Sequence, residues 1–222
     1  MSSVLQTADV LHRAVSLDAS ERVYRVTLHP DKYRRIERIR QEIGEGPQLA
    51  EALNFLDEPA ILDISSLSDL LAAPFRRRPF PKDRRFSNGN FGVLYTAREK
   101  ETAGEEYAYW APKNFSPAPH RSYRVRLHLI SCQFDGRAKD LCQFVDVCPW
   151  LISDDYRECQ RLGAAARQEG LAGLFAPSAR RRPDGTTVPI FASYAASQPA
   201  EEGDVVFTIS ATAPTIFEIA RR

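Results

Sequence analysis

The stretch Phe91-Gly92-Val93-Leu94-Tyr95-Thr96-Ala97 reads as a strand, and Glu99 to Trp110 beyond it as a helix whose first turn is acidic. A helix dipole favours negative charge at that end. The result is a strand–turn–helix unit. Downstream, Tyr123, Val125, Leu127 and Leu129 alternate with Arg124, Arg126 and His128, the pattern of a half-buried strand. A helix over about 154–168 is stopped by Gly170, and short strands are predicted at 171–175, 188–194, 204–211 and 216–219. Upstream, Arg22 to Leu28 alternates in the same way and is cut off by His29-Pro30. Tyr33, Ile36, Ile39 and Ile43, then Leu49, Ala52, Leu53 and Leu56, recur at helical steps on either side of a glycine–proline turn. Leu67, Leu70 and Leu71 predict a third short helix, with Ser65 or Ser66 as its N-cap. Residues 74–90 break all periodicity and read as a long loop. Helices gather early and strands late, so the expected fold is α+β, a mixed sheet with flanking helices. A single domain over 1–222 is expected, with 30–79 as a helical segment inserted in it.

Thirty Lys plus Arg stand against 29 Asp plus Glu, a formal net charge of +1. That balance supplies no global field for nucleic acid or anionic lipid, so any anion site must be local. The basic runs Arg76-Arg77-Arg78 and Arg180-Arg181-Arg182 fit either solvated loops or ligand clamps. No apolar run approaches the roughly 20 residues that span a bilayer, and Asp9, His12, Arg13 and Asp18 interrupt the place of a signal peptide. A cytoplasmic protein is expected. Cys132, Cys142, Cys148 and Cys159 form no C-x-x-C pair, and the four histidines fall at no zinc-ligand interval, so neither a disulfide framework nor a metal centre is expected.

Three stretches carry candidate chemistry. Arg84-Arg85-Phe86-Ser87-Asn88-Gly89-Asn90 sets guanidinium groups beside an aromatic and a flexible turn, ahead of a strand ending near Tyr95. This suits an anionic ligand that bears a flat ring, and it equally suits a plain surface loop before an edge strand. In Glu105-Glu106-Tyr107, neighbours on a helix point apart, so at most one glutamate faces a site. Gly170 to Arg180 is a strand broken at Pro177-Ser178, which exposes a hydroxyl and free N–H groups to a phosphate or ribose, or forms a simple turn.

Taken together, these stretches resemble the RES family, named for its Arg, Glu and Ser. Arg85-Phe86-Ser87, Val93-Leu94-Tyr95-Thr96-Ala97 and Thr102-Ala103-Gly104-Glu105-Glu106 follow its motifs in order. Tyr95 lies ten residues beyond Arg85, and Glu106 twenty-one. The family's Ala-x-x-Glu register selects Glu106 over Glu105. Gly170 through Arg180 resembles a later block and supplies Ser178, and Val23-Tyr24-Arg25 resembles the opening strand. The segment from about 30 to 79 departs from compact members and is similar to the longer toxins of the ParT type.

The resemblance implies a fold like that of ADP-ribosylating toxins and NAD⁺ as substrate. It also implies a bacterial toxin–antitoxin module whose antitoxin carries an Xre-like DNA-binding region and forms a heteromer with the toxin. In that picture Glu106 stabilises the cationic ribose, Arg85 grips the diphosphate or ribose, and Tyr95 lies against the nicotinamide. Ser178 supplies a polar contact, and Arg25 a second phosphate contact or a core-edge ion pair. Transfer of ADP-ribose to a protein acceptor is expected ahead of NAD⁺ depletion by hydrolysis or phosphorolysis. An RNA-targeting toxin is a more distant alternative, disfavoured by the near-neutral charge, and a non-catalytic interaction domain is another.

Overall fold

The computed structural model describes residues 7–28, 30–31, 64–76, 80, 84–115, 122–210 and 212–220. Its helices are α1 (Thr7–Arg13), α2 (Leu67–Arg76), α3 (Lys100–Phe115) and α4 (Arg157–Gln168). The strands are β1 (Val15–Thr27), β2 (Leu94–Ala97), β3 (Ser122–Asp140), β4 (Gly173–Pro177), β5 (Thr186–Ile190), β6 (Ala196–Ser210) and β7 (Ile216–Ile219). They form one seven-stranded sheet in the order β1-β2-β5-β4-β3-β6-β7. Only β3 and β4 pair in parallel; the other pairs are antiparallel, so the sheet is mixed and the fold is α+β. The helices expected over 33–43 and 49–56 lie outside the described residues. Among the described residues, no helix is long and apolar enough to cross a membrane.

Strand β1 pairs with β2 at Tyr24↔Ala97 and with β3 from Val15↔Asp140 to Thr27↔His128. Five strands therefore close on themselves, β1-β2-β5-β4-β3 and back to β1, while β6 and β7 extend from β3. Strand β3 serves three neighbours: β1, β6 along its first part, and β4 through Ala138–Asp140. Register shifts near Ile130 and Ser131 let so long a strand twist as it passes from one partner to the next.

Two apolar layers sandwich the sheet. On one face Phe134, Phe175, Leu127, Leu129 and Phe207 pack with residues of α2 and α3. On the other, Leu174, Ala176, Phe86, Phe91 and Phe191 pack with Leu11 of α1 and Leu162 of α4. Alternate residues of β4 thus enter opposite layers, as a strand's period of two requires, and all five are buried.

Several elements differ from their sequence-based expectation. Strand β1 begins at Val15 rather than Arg22, β3 runs on to Asp140, and β6 begins at Ala196. The added lengths of β1 and β6 are largely polar or half-exposed and are held by the backbone ladder, whereas the added length of β3 buries Ile130, Cys132, Phe134 and Ala138. Helix α1 was not foreseen; Val10 and Leu11 bury one short face of it against α4. Helix α2 runs through Pro74 to Arg76, so the irregular stretch begins later than expected. Its start follows the capping expectation: Ser66 Oγ accepts the Asp69 N–H, and the Asp69 carboxylate accepts the N–H groups of Ser65 and Ser66. Helix α3 continues past Trp110 to Phe115, and strand β2 starts only at Leu94.

The rings of Phe134 and Phe175 meet edge to face at 5.9 Å and are fully buried. Replacing Phe134 by Ala removes that contact and opens a cavity in the layer under α2 and α3. A loss of about 3–5 kcal/mol in denaturant unfolding is expected. A loss below about 1 kcal/mol would mean that this layer is not the packed core described.

Candidate active site

The arginine loop is fastened from several sides before it presents any charge. Phe86 is buried, and Gly163 of α4 passes so close that a Cβ there would sit 2.2 Å from the Phe86 carbonyl oxygen. The Phe86 N–H donates to the Tyr95 hydroxyl at 3.0 Å, and Gln160 Nε2 donates to the Arg84 carbonyl at 3.0 Å. Ser87 Oγ donates to the Phe91 carbonyl at 2.7 Å and closes the turn. Burial raises the Tyr95 phenol above its ordinary value, so it remains a neutral hydroxyl. On this support Arg85 donates to the Leu151 carbonyl at 2.8 Å, and its guanidinium carbon lies 5.0 Å from the centre of the Tyr156 ring. Arg84 lies over Trp110 at 5.3 Å.

Helix α3 contributes the adjoining part of the site, with Trp110 under Arg84. Glu106, Tyr109 and Trp110 stand at positions i, i+3 and i+4, which share one helix face. Glu106 Oε1 accepts a 2.6 Å hydrogen bond from the Ser178 hydroxyl, a contact spanning 72 residues of chain. Ser178 directly follows β4 and is 1% exposed. Its oxygen accepts the N–H groups of Arg180 and Arg181 at 3.1 and 3.0 Å. With its acceptor side occupied by two donors, the hydroxyl proton is committed to Glu106.

Arg180 joins the same group. Its guanidinium carbon lies 3.3 Å from the centre of the Tyr109 ring, and it forms an ion pair with Asp154. The hydrogen bond from Arg180 holds the Asp154 carboxyl below the usual carboxylate range, assisted by Tyr109 and by the charge of Arg85. Tyr109, Trp110 and Tyr156 form a run of aromatic faces, with centroids 5.4 and 6.4 Å apart. Cys159, beside the loop, is no nucleophile: its sulfur faces the carbonyls of Trp150 and Leu151, and burial pushes its thiol up to about 12.

One wall thus brings together the carboxylates of Glu106 and Asp154, the guanidinium groups of Arg84, Arg85 and Arg180, and three aromatic faces. Such a combination is chemically suited to stabilising a developing cation beside a carboxylate and to binding phosphate charge and flat rings. Of the sequence-predicted residues, Glu106 and Ser178 touch each other, and Arg85 joins them across the aromatic run. Tyr95 lies beneath the arginine loop with its hydroxyl at the Phe86 N–H. Arg25 is directed elsewhere: its Nη1 donates to the Leu70 carbonyl of α2 at 3.3 Å. Sequence reasoning missed Tyr109, Trp110, Asp154, Tyr156 and Arg180. The i, i+3, i+4 spacing from Glu106 was a legible signal for the first two, and the block from Gly170 to Arg180 that supplied Ser178 contained Arg180.

The RES domain family model matches residues 61–210, which include Arg85, Tyr95, Glu106 and Ser178 and leave Arg25 outside. Among solved structures, a chain of the M. tuberculosis MbcT–MbcA toxin–antitoxin complex is 16% identical, with 88% of this chain and 90% of that chain covered and a TM-score of 0.44. No curated protein matches.

Tyr95→Phe removes the acceptor of the Phe86 N–H without changing the ring. Because that N–H then has no replacement partner, a destabilisation of about 1–3 kcal/mol is expected, with faster hydrogen exchange at the Phe86 amide. Unchanged exchange at that amide would show that the tyrosine does not anchor the arginine loop.

Proposed function

The chain belongs to the RES domain family, and on that premise we propose that it is the toxin of a bacterial toxin–antitoxin module and acts on NAD⁺. The reaction is cleavage of the nicotinamide–ribose bond with transfer of ADP-ribose. The observation that carries this reading is the hydrogen bond from Ser178 to Glu106 on a wall of arginines and aromatics.

In NAD⁺ the leaving group is already a cationic pyridinium. When the C1–N bond breaks, its electron pair passes to the ring nitrogen, nicotinamide departs neutral, and positive charge moves to the ribose. No general acid is required. The rate depends on negative charge held against the developing oxocarbenium ion, as in glycoside hydrolysis without the acid partner. Glu106 is the residue for that role. Ser178 occupies one carboxylate oxygen and fixes the rotamer, leaving the other to face the ribose hydroxyls. Arg85 binds the diphosphate or ribose through charge-assisted hydrogen bonds, a geometry lysine does not reproduce. Tyr95 acts through the loop it holds. The acceptor oxygen or nitrogen then attacks C1 and gives up its proton.

The acceptor we propose is a protein side chain. Whichever nucleophile is held nearest C1 wins, and the exposed residues 182–184 of the turn that follows Arg180 offer surface on which a protein acceptor can approach. Depletion of NAD⁺ by hydrolysis or phosphorolysis is the competing outcome.

Incubation of the antitoxin-free protein with NAD⁺ should release nicotinamide, with Glu106→Ala lowering the rate about 10²-fold or more and Glu105→Ala leaving most of it. Equal loss in both folded variants would move the carboxylate. With labelled NAD⁺ and cell lysate, a discrete labelled protein that requires Glu106 is expected. Free ADP-ribose or its phosphate without any labelled protein would establish depletion instead.

The partner we propose is an antitoxin chain with an Xre-like DNA-binding region that covers this wall. Coexpression with the neighbouring reading frame should yield a copurifying heteromer and relieve toxicity. Neither outcome occurring would remove the toxin–antitoxin reading while leaving the NAD⁺ chemistry standing.

A further inference from the structure

The ion pair between Arg180 and Asp154 is unlike a surface salt bridge in how its two members sit. The Arg180 side chain is 16% exposed and pressed onto the Tyr109 ring, whereas the Asp154 side chain is 63% exposed. The cation is built in, and the anion approaches from the solvent side. The cation is also incompletely used. Asp154 Oδ1 meets one terminal nitrogen of Arg180, while Nε is buried without a hydrogen-bond partner. A guanidinium presents its N–H groups as a planar fork that suits two oxygens of one phosphate, and a single carboxylate oxygen fills only part of it.

We propose that Arg180 binds the diphosphate of the ligand and that Asp154 is an internal stand-in for it, occupying the guanidinium until a phosphate displaces it. The proposal rests on the reading of the site as one for NAD⁺, but only on the diphosphate part of that ligand. Three features place the phosphate here. The main-chain N–H groups of Arg180 and Arg181 already converge on Ser178 Oγ, so the same turn fixes both the Glu106 partner and the arginine. Tyr109, which carries the guanidinium, lies one helical turn beyond Glu106, the spacing that puts a phosphate-bearing group beside a ribose held at the carboxylate. Arg85 stands on the neighbouring aromatic, Tyr156, within electrostatic reach of Asp154, so the displaced anion leaves a site lined by two cations.

A stand-in competes with what it imitates. When a diphosphate enters, Asp154 must swing into solvent or remain as a like charge beside it, and both weaken the ligand. Removing its charge should therefore strengthen binding, the reverse of what loss of a supporting salt bridge would do. It also means that affinity in the native chain is set below what its arginines alone would give.

The test uses the full chain in calorimetric titrations with ADP, ADP-ribose and nicotinamide riboside, which lacks the diphosphate. Asp154→Asn should tighten ADP and ADP-ribose about tenfold and leave nicotinamide riboside unchanged. Arg180→Lys keeps the charge but not the fork and should weaken the first two by about tenfold or more. Asp154→Asn replaces an exposed side chain by one of the same shape, so folding, checked by thermal melting, is expected to hold. Weaker or unchanged ADP binding in Asp154→Asn overturns the proposal, as does equal tightening of all three ligands or no ADP binding by either protein at millimolar concentration. If Asp154→Asn binds ADP more tightly but no variant releases nicotinamide, the anion site stands and the NAD⁺ reading falls. Nicotinamide release with ADP binding indifferent to Asp154 gives the opposite division.

Discussion

Strand β4 has no solvent face. It pairs with β3 on one edge and β5 on the other, and its alternate residues enter the two apolar layers, so all of Gly173–Pro177 is buried. The next residue, Ser178, leaves the strand while still inside the protein and carries a hydroxyl that water cannot solvate. A buried hydroxyl without partners costs about 1–3 kcal/mol, so its surroundings must satisfy it. They do so on three sides: two main-chain N–H groups and the Glu106 carboxylate. That requirement couples the end of the central strand to the outward face of α3 and draws the arginine turn against the same point. The candidate site is what this accommodation produces.

How far this was legible depended on whether a residue's role leaves a periodic trace. The alternation in Tyr123 to Leu129 marked the first part of β3, but at the register shift after Leu129 the buried set passes to Ile130, Cys132, Phe134 and Ala138, out of phase with it, so the continuation to Asp140 did not read as the same strand. Val15 to Glu21 of β1 are half-buried at most, and their pairing partners lie on β3. Backbone pairing between segments more than a hundred residues apart writes nothing local into the sequence. Proline misled in the other direction. Pro74 was read as the start of an irregular loop, yet a helix tolerates proline where tertiary packing holds the turn, and Leu70, Leu71 and Ala73 supply that packing.

At the site, spacing alone could not separate Glu105 from Glu106; the choice came from the family's register, and in the structure it is Glu106 that the Ser178 hydroxyl meets. Arg180 lay in view inside the same block as Ser178 but looked like one of a solvated basic run. What distinguishes it is the Tyr109 ring, and no linear pattern joins residues 109 and 180. Tyr95 shows the converse. Its place near the arginine loop was expected, while its hydroxyl's attachment to a main-chain N–H depends on the loop folding back over the strand, which composition does not encode.

The rotation of α3 then decides whether the carboxylate and the aromatic platforms face one ligand. Gly104 lies two residues before Glu106, about 200° away around the helix, so it occupies nearly the opposite face. A Cβ there would come within 2.3 Å of the Phe217 ring of β7. The missing side chain lets the helix settle flat against the extended part of the sheet, and Phe217 stacks in turn on Phe207 at 5.7 Å. With its back pressed on that ring, α3 has little freedom to roll, and Glu106, Tyr109 and Trp110 share one fixed direction. A side chain at position 104 would require the Phe217 ring or the helix to shift. Because Ser178 is anchored to the buried strand, a turn of the helix has to be taken up by the Glu106 side chain if the 2.6 Å hydrogen bond is to be kept. The packing of an edge strand remote from the chemistry thus sets the aim of the carboxylate, while the central strand sets its partner.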